Sequence, residues 1–215
     1  MKKLLILLLL VCLASFSLAS CKQESEEEPN TDAGENAPGD SDGQGDAEKT
    51  VYDVLGGLSE KERETVKLDV CVRIDDITLN ANYVVKKTSV TYSVERLNLI
   101  TGDVYDLPDD FKSLLSGTAV VENGATVKVE GDEVSLPEYT ELVGKFNYSE
   151  SCFTDVTASD GRFSASVKSA NDFLGVNSDA KNMKITVDYN EAAIEKITLT
   201  YDTESAKVTS VYVFE

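Results

Sequence analysis

The chain reads as mainly β, a β-rich α+β protein: an antiparallel sheet built of meanders, with a few short helices. Three observations predict this. Apolar and polar residues alternate from Lys67 to Val94 across two short turns. The same alternation returns between Ile185 and Phe214. No strand pattern is followed by a long helical one, which argues against a parallel sheet, and no repeat of roughly 20–50 residues marks a solenoid.

The first residues have a different character. Lys2 and Lys3 precede an unbroken apolar run, Leu4 to Leu13. It is too short to span a membrane as a helix but suits the core of an export signal. Small and apolar residues follow, ending in Leu18-Ala19-Ser20-Cys21. From Lys22 to Lys49 the chain has no aromatic residue and no aliphatic one larger than Ala, with two Lys against ten Asp and Glu, a net charge of −8. Such a segment cannot bury apolar surface, so it is expected to be a disordered acidic tether. Its Asp40, Asp42, Gln44, Gly45 and Asp46 echo a calcium loop, but Val51 stands where the bidentate Glu belongs. No metal site is therefore assigned.

Residues 50–215 are expected to be one domain. Val51, Val54 and Leu55 form a short helix that the Gly56-Gly57 pair should break. Ser59 and Glu62 then make a capping box for a second brief helix, ending near Val66. Leu68, Val70, Val72 and Ile74 share one face of a strand, with Lys67, Asp69, Cys71 and Arg73 on the other. After a turn at Asp75-Asp76 come Ile77, Leu79, Ala81, Tyr83 and Val85. After Lys86-Lys87 come Val90, Tyr92 and Val94. Pro108 to Leu115 reads as a short helix closed by Gly117. Asn123-Gly124, between two apolar runs, is a strong hairpin signal. Pro137 to Val143 is a helical turn or an edge strand, and Asn171 to Gly175 a turn of helix or a loop. Phe163, Ala165 and Val167 alternate as a further strand. So do Ile185, Val187 and Tyr189; then Ile197, Leu199 and Tyr201; then Val208 to Phe214. This makes nine or ten strands and two or three helices.

The chemistry is narrowed by what is missing. The chain has no His, which removes the usual general base and the commonest metal ligand. There is no phosphate-cradling loop or nucleophile elbow. Acidic pairs remain, but a sugar-cleaving site commonly stacks its substrate on Trp, and there is none. The expectation is no catalytic residue, no cofactor and no enzyme. With 16 Lys and Arg against 29 Asp and Glu, residues 50–215 carry a net −13 and should not bind nucleic acid. Cys71 and Cys152 are the cysteines left once the signal and Cys21 are set aside. In an exported domain they can pair as a disulfide or remain thiols, and sequence leaves both open.

The Leu18-Ala19-Ser20-Cys21 end of the apolar leader resembles the lipobox of bacterial lipoproteins. That resemblance implies a signal peptide over 1–20, a diacylglycerol on the sulfur of Cys21, and a mature chain held at the outer face of the cell membrane. Residues 21–49 would be its lipidated Cys and tether, and two acyl chains suffice for stable anchoring. The meander of 67–98, the helix-like insert near 108–116 and the closing strands of 184–214 resemble the LolA/LppX-like lipoprotein-carrier fold. That fold implies a curved antiparallel sheet, an incomplete barrel, with an apolar cavity for acyl chains. Two functions are expected. In the first, the domain is a non-catalytic binding module holding a lipid or other apolar ligand. In the second it is a surface interaction protein whose sheet face binds another envelope component and encloses nothing. The polar side of the first strand, Lys67, Asp69, Cys71 and Arg73, favours the second. The ligand-binding residues and the protein partner are not legible.

Overall fold

The computed structural model describes residues 49–75, 77–99, 104–106, 116–128, 136 and 139–215. The expected helix over 108–115 and the leader and tether lie outside them. Eleven strands form one antiparallel sheet that is not closed. They are β1 (Thr65–Ile74), β2 (Ile77–Lys86), β3 (Ser89–Leu99), β4 (Val104–Asp106), β5 (Gly117–Glu122), β6 (Ala125–Lys128), β7 (Phe153–Ser159), β8 (Arg162–Val167), β9 (Lys181–Tyr189), β10 (Ile194–Asp202) and β11 (Lys207–Phe214). Their spatial order is β6-β5-β3-β2-β1-β11-β10-β9-β8-β7, with β4 beside β3. The chain thus builds two meanders and joins them where the first strand meets the last. β1 and β11 pair from Val66↔Phe214 to Arg73↔Lys207.

Tight turns fix the registers locally. Asp75 adopts φ +47° between the paired Ile74 and Ile77. Asn123 and Gly124 have φ +51° and +76° between the paired Glu122 and Ala125. Two consecutive left-handed residues match the right-handed twist of the flanking strands, which is why Asn-Gly predicts a hairpin. Because side chains alternate, one register puts every apolar residue on the same face. In β1, Val66, Leu68, Val70 and Val72 are buried while Lys67, Asp69 and Arg73 are exposed. Cross-strand partners carry that buried face over Tyr83 and Ala81 of β2, Tyr212 and Val208 of β11, Leu199 of β10, Ile185 of β9 and Ala165 of β8.

The helices lie on this face. α1 (Val51–Ser59) is one helix running through Gly56-Gly57, where a break was expected. Its capping box is Thr50 with Asp53 rather than Ser59 with Glu62. Leu55 and Leu58, on either side of the glycines, are both buried, so packing holds together a helix that local propensity would interrupt. Residues 65 and 66 belong to β1, because Val66 joins the buried row. α2 (Tyr139–Leu142) resolves the helix-or-strand ambiguity of 137–143, and α3 (Ala170–Leu174), capped by Ser169, does so for 171–175.

An aromatic cluster fastens these pieces to the sheet. Tyr52 of α1 stacks on Phe153 and meets Phe163 edge-on, at 6.2 and 6.1 Å between centroids. Phe173 of α3 touches Phe146 at 4.9 Å and Phe153 at 5.7 Å. Phe146 in turn meets Tyr212 of β11 at 5.5 Å. Such offset and edge contacts each add about 0.5–1.5 kcal/mol to simple burial. β7 was not legible in sequence. After Phe153 its residues are all exposed, and a bulge with Asp155 at φ +53° interrupts its pairing to β8, so no alternation survives.

Candidate functional site: the two faces of the sheet

Among the described residues the covered face is filled by its own side chains. A cavity of about 20 Å³ lies among Leu68, Leu199, Met183, Leu174, Tyr201 and Glu141. That is room for one water molecule, against roughly 300 Å³ or more for a small-molecule pocket. Glu141 of α2 and Ser210 of β11 are buried there, 6 % and 3 % exposed, beside Tyr201 and Tyr212. Burial raises the pKa of both phenols, and the nearby Glu141 charge raises it further, while the bond between Tyr201 and Ser210 opposes the rise for Tyr201. Tyr83 is pushed up to about 12, first by burial and then by Tyr92. Burial also raises Tyr148, with the charge of Arg63 pulling the other way. These phenols are neutral at ordinary pH, and Tyr201 and Tyr212 have room beside them for no more than a water, while Tyr148 lines an open depression of about 640 Å³ between α1 and residues 146–150.

Arg63 seals the edge of this region. Its guanidinium lies 3.7 Å from the Phe214 ring centroid, and Nη1 donates to the Val143 carbonyl at 2.7 Å. The contact ties the entry of β1 to the end of α2. Desolvation by burial lowers the pKa of this group.

The opposite face is polar and uncovered by the described residues. One row across it runs Asn82, Asp69, Val211, Thr198, Thr186 and Ser164, from β2 to β8. The next runs Asn80, Cys71, Thr209, Thr200, Lys184 and Ser166. Ser164 and Thr186 share a hydrogen bond of 3.2 Å between hydroxyls. β-branched Thr suits the strand backbone and still offers a donor and acceptor outward. The arrangement is a broad field of hydroxyls and amides on a rigid support, able to hydrogen-bond a partner laid along it.

Of the residues singled out in sequence, Cys21 lies outside the described region. Cys71 and Cys152 are both free. Cys71 is half-buried on the uncovered face of β1. Cys152 is buried in the 3₁₀ turn Glu150–Cys152 that leads into β7. Five strand-to-strand steps separate β1 from β7, roughly 24 Å along a flat sheet at about 4.8 Å each. A disulfide needs Cα atoms within about 7 Å, so the structure does not bring this pair together. Burial raises the pKa of both thiols. Glu141 was not found in sequence, since a lone Glu in a four-residue helix has no periodic neighbour to mark it as inward. The uncovered face was half legible, as the polar phase of the alternation.

Among the described residues no helix is long and apolar enough to cross a membrane, and no group of three or more His, Cys, Asp or Glu side chains could hold a metal ion. No family model matches the chain, and comparison with curated proteins returns no match.

Proposed function

We propose that this chain is a membrane-anchored cell-envelope lipoprotein, acylated on Cys21, whose domain is a non-catalytic interaction module that binds another envelope component through the uncovered sheet face. The observation that carries this reading is the contrast between the faces. The covered one is packed, among the described residues, around a cavity of about 20 Å³, while the other offers rows rich in hydroxyl and amide groups. A lipid-holding cleft would need apolar lining beyond that used by the core, and the five central strands of the uncovered face provide Val84, Val211 and Val213 set among polar and charged residues. Anchoring rests on the apolar leader and Leu18-Ala19-Ser20-Cys21. Lack of His and packing of the buried carboxylate against phenols support a non-catalytic role.

Expressing the full chain in a bacterial host with an alkyne palmitate tests the anchor. The label should appear on the wild type and vanish with Cys21→Ser. The docking face is tested on the Cys21→Ser chain by retention on washed envelope fragments. Thr198→Trp with Thr200→Trp places bulk at the centre of the rows and should release the chain. Unchanged retention in that variant would sink the docking reading.

A further inference from the structure

Charge is not spread evenly over this molecule. The chain carries a net −19, yet the uncovered face over β2, β1, β11, β10 and β9 is basic. Lys86, Arg73, Lys207, Lys196 and Lys184 project there and are exposed, against Asp69, Asp188 and Asp202 on the same strands, with Asp188 directly opposite Lys196 and Asp202 opposite Lys207. Asp202 accepts a hydrogen bond from the Asn182 amide at 2.9 Å. Two of the ion pairs found among the described residues lie on this face, Lys67 with Glu215 and Arg162 with Asp188 at 3.5 Å, and they involve other cations than these five, while Lys87 with Glu62 at 3.7 Å lies off it. Among the described residues, further acids lie off this face in the helices and turns, as at Glu60, Glu150, Asp160 and Glu204.

The register sharpens the point. Arg73 and Lys207 are direct cross-strand partners. Like charges in that position cost stability. They border an open depression of about 490 Å³ that Thr203, Ser205, Asp75 and Asp202 also line. Lys184 lies at the far side of the Thr209–Thr200 pair, and Lys196 at the opposite end of β10. Cations therefore bracket a field of hydroxyls and amides in which Asp69 is the one carboxylate of the two rows.

We propose that this face docks an anionic polysaccharide, an inference that rests on the docking reading above and names the partner's chemistry. Lys and Arg would meet the carboxylates of the polymer, and the Thr, Ser and Asn rows its hydroxyls. Neutral hydroxyls both donate and accept, as sugar hydroxyls do. The competing partners fit less well. A protein hot spot favours aromatic anchors, and these rows hold none. A lipid surface favours large projecting apolar side chains, and the central strands of this face offer only Val84, Val211 and Val213, each beside a charged residue or a hydroxyl. The charged contacts are exposed, so the binding is salt-sensitive: at about 0.4 M salt the screening length falls to about half its value near 0.1 M.

The test uses the full chain in a neutral detergent, passed over immobilised polygalacturonate, neutral dextran and poly-L-glutamate, and mixed with vesicles containing phosphatidylglycerol. Retention on polygalacturonate at low salt is expected, with none on dextran. Arg73→Glu with Lys207→Glu should weaken it at least tenfold, as should Lys184→Glu with Lys196→Glu. Arg73→Gln with Lys207→Gln removes the same charges without adding new ones, and far-UV circular dichroism checks that it is folded. Lys145→Glu with Lys168→Glu, an equal charge change off the face, should leave retention intact. Equal loss in that control overturns the proposal. So does equal retention on dextran, poly-L-glutamate or the vesicles. Retention that appears only when residues 24–48 are deleted assigns the face to the chain's own acidic segment and also overturns it. If the Thr198→Trp, Thr200→Trp chain loses its grip on envelope fragments while polygalacturonate is ignored, the docking reading stands and the polysaccharide falls.

Discussion

Replacing Phe173 by Ala decides whether the covered face is a core or a ligand cleft with a loose lid. Phe173 is fully buried, and its ring meets Phe146, Tyr148 and Phe153 at 4.9, 6.3 and 5.7 Å. Its carbonyl accepts from Asn147 N–H at 2.9 Å, so α3 and the segment before β7 are joined through this residue. An aromatic ring buries about 150–250 Å², worth roughly 4–6 kcal/mol at about 25 cal/mol per Å². Ala keeps a small part of this. Phe→Ala changes in packed cores cost about 3–5 kcal/mol, and a value near 4 kcal/mol is expected here. With a urea slope of about 2 kcal/mol/M, the midpoint should fall by about 2 M. The thermal midpoint should fall by about 8–16 °C, at 2–4 °C per kcal/mol. Far-UV circular dichroism of the Cys21→Ser chain during urea titration measures both stability and slope. Val156→Ala, on exposed β7, should stay within about 0.5 kcal/mol of the parent. Adding Phe146→Ala completes a cycle whose coupling should be about 0.5–1.5 kcal/mol. A Phe173→Ala cost below about 1 kcal/mol would refute the packed core and reopen the cleft.

Other perturbations test separate parts of the structure. Gly161 has φ +74°, and a Cβ there would lie 2.9 Å from the Tyr189 carbonyl oxygen. Gly161→Ala should cost about 2 kcal/mol or more, from left-handed strain of about 1–2 kcal/mol plus the close contact, measured by the same urea titration. Alkaline pH should unfold the domain through its buried phenols. Tyrosines in the unfolded chain ionise near 10, Tyr83 in the fold near about 12, and Tyr148, Tyr201 and Tyr212 are also held up by burial. The stabilisation is whole below pH ~10 and is lost as pH rises from there through the folded values. The thermal midpoint should therefore be flat up to about pH 10 and fall above it, and a midpoint still level near pH 11 would contradict the burial. In the folded Cys21→Ser chain a thiol reagent should label Cys71 before Cys152, and reduction should leave the thermal midpoint unchanged. A two-dalton gain on reduction would instead reveal a bond between them.

The period-two pattern of Leu68 to Ile74 and of Ile185 to Tyr201 determined strands, faces and antiparallel class by itself. Burial alternates wherever a sheet has one wet side, and the positive φ at Asn123 and Gly124 is a property of those two residues. The separation of polar from apolar faces was equally local, so the composition of the docking face was written in the strands. Tertiary structure alone decided the rest. β1 pairs with β11 through contacts between residues about as far apart as the domain allows, and no local pattern encodes them. α1 persists through Gly56-Gly57 because Leu55 and Leu58 find the sheet. β7 escapes detection because an edge strand with a bulge buries almost nothing. Five cations gather on one face of an acidic molecule because register, which depends on the whole sheet, places residues from five strands side by side. Cys71 and Cys152 stay apart for the same reason: the strand order puts five steps between their strands.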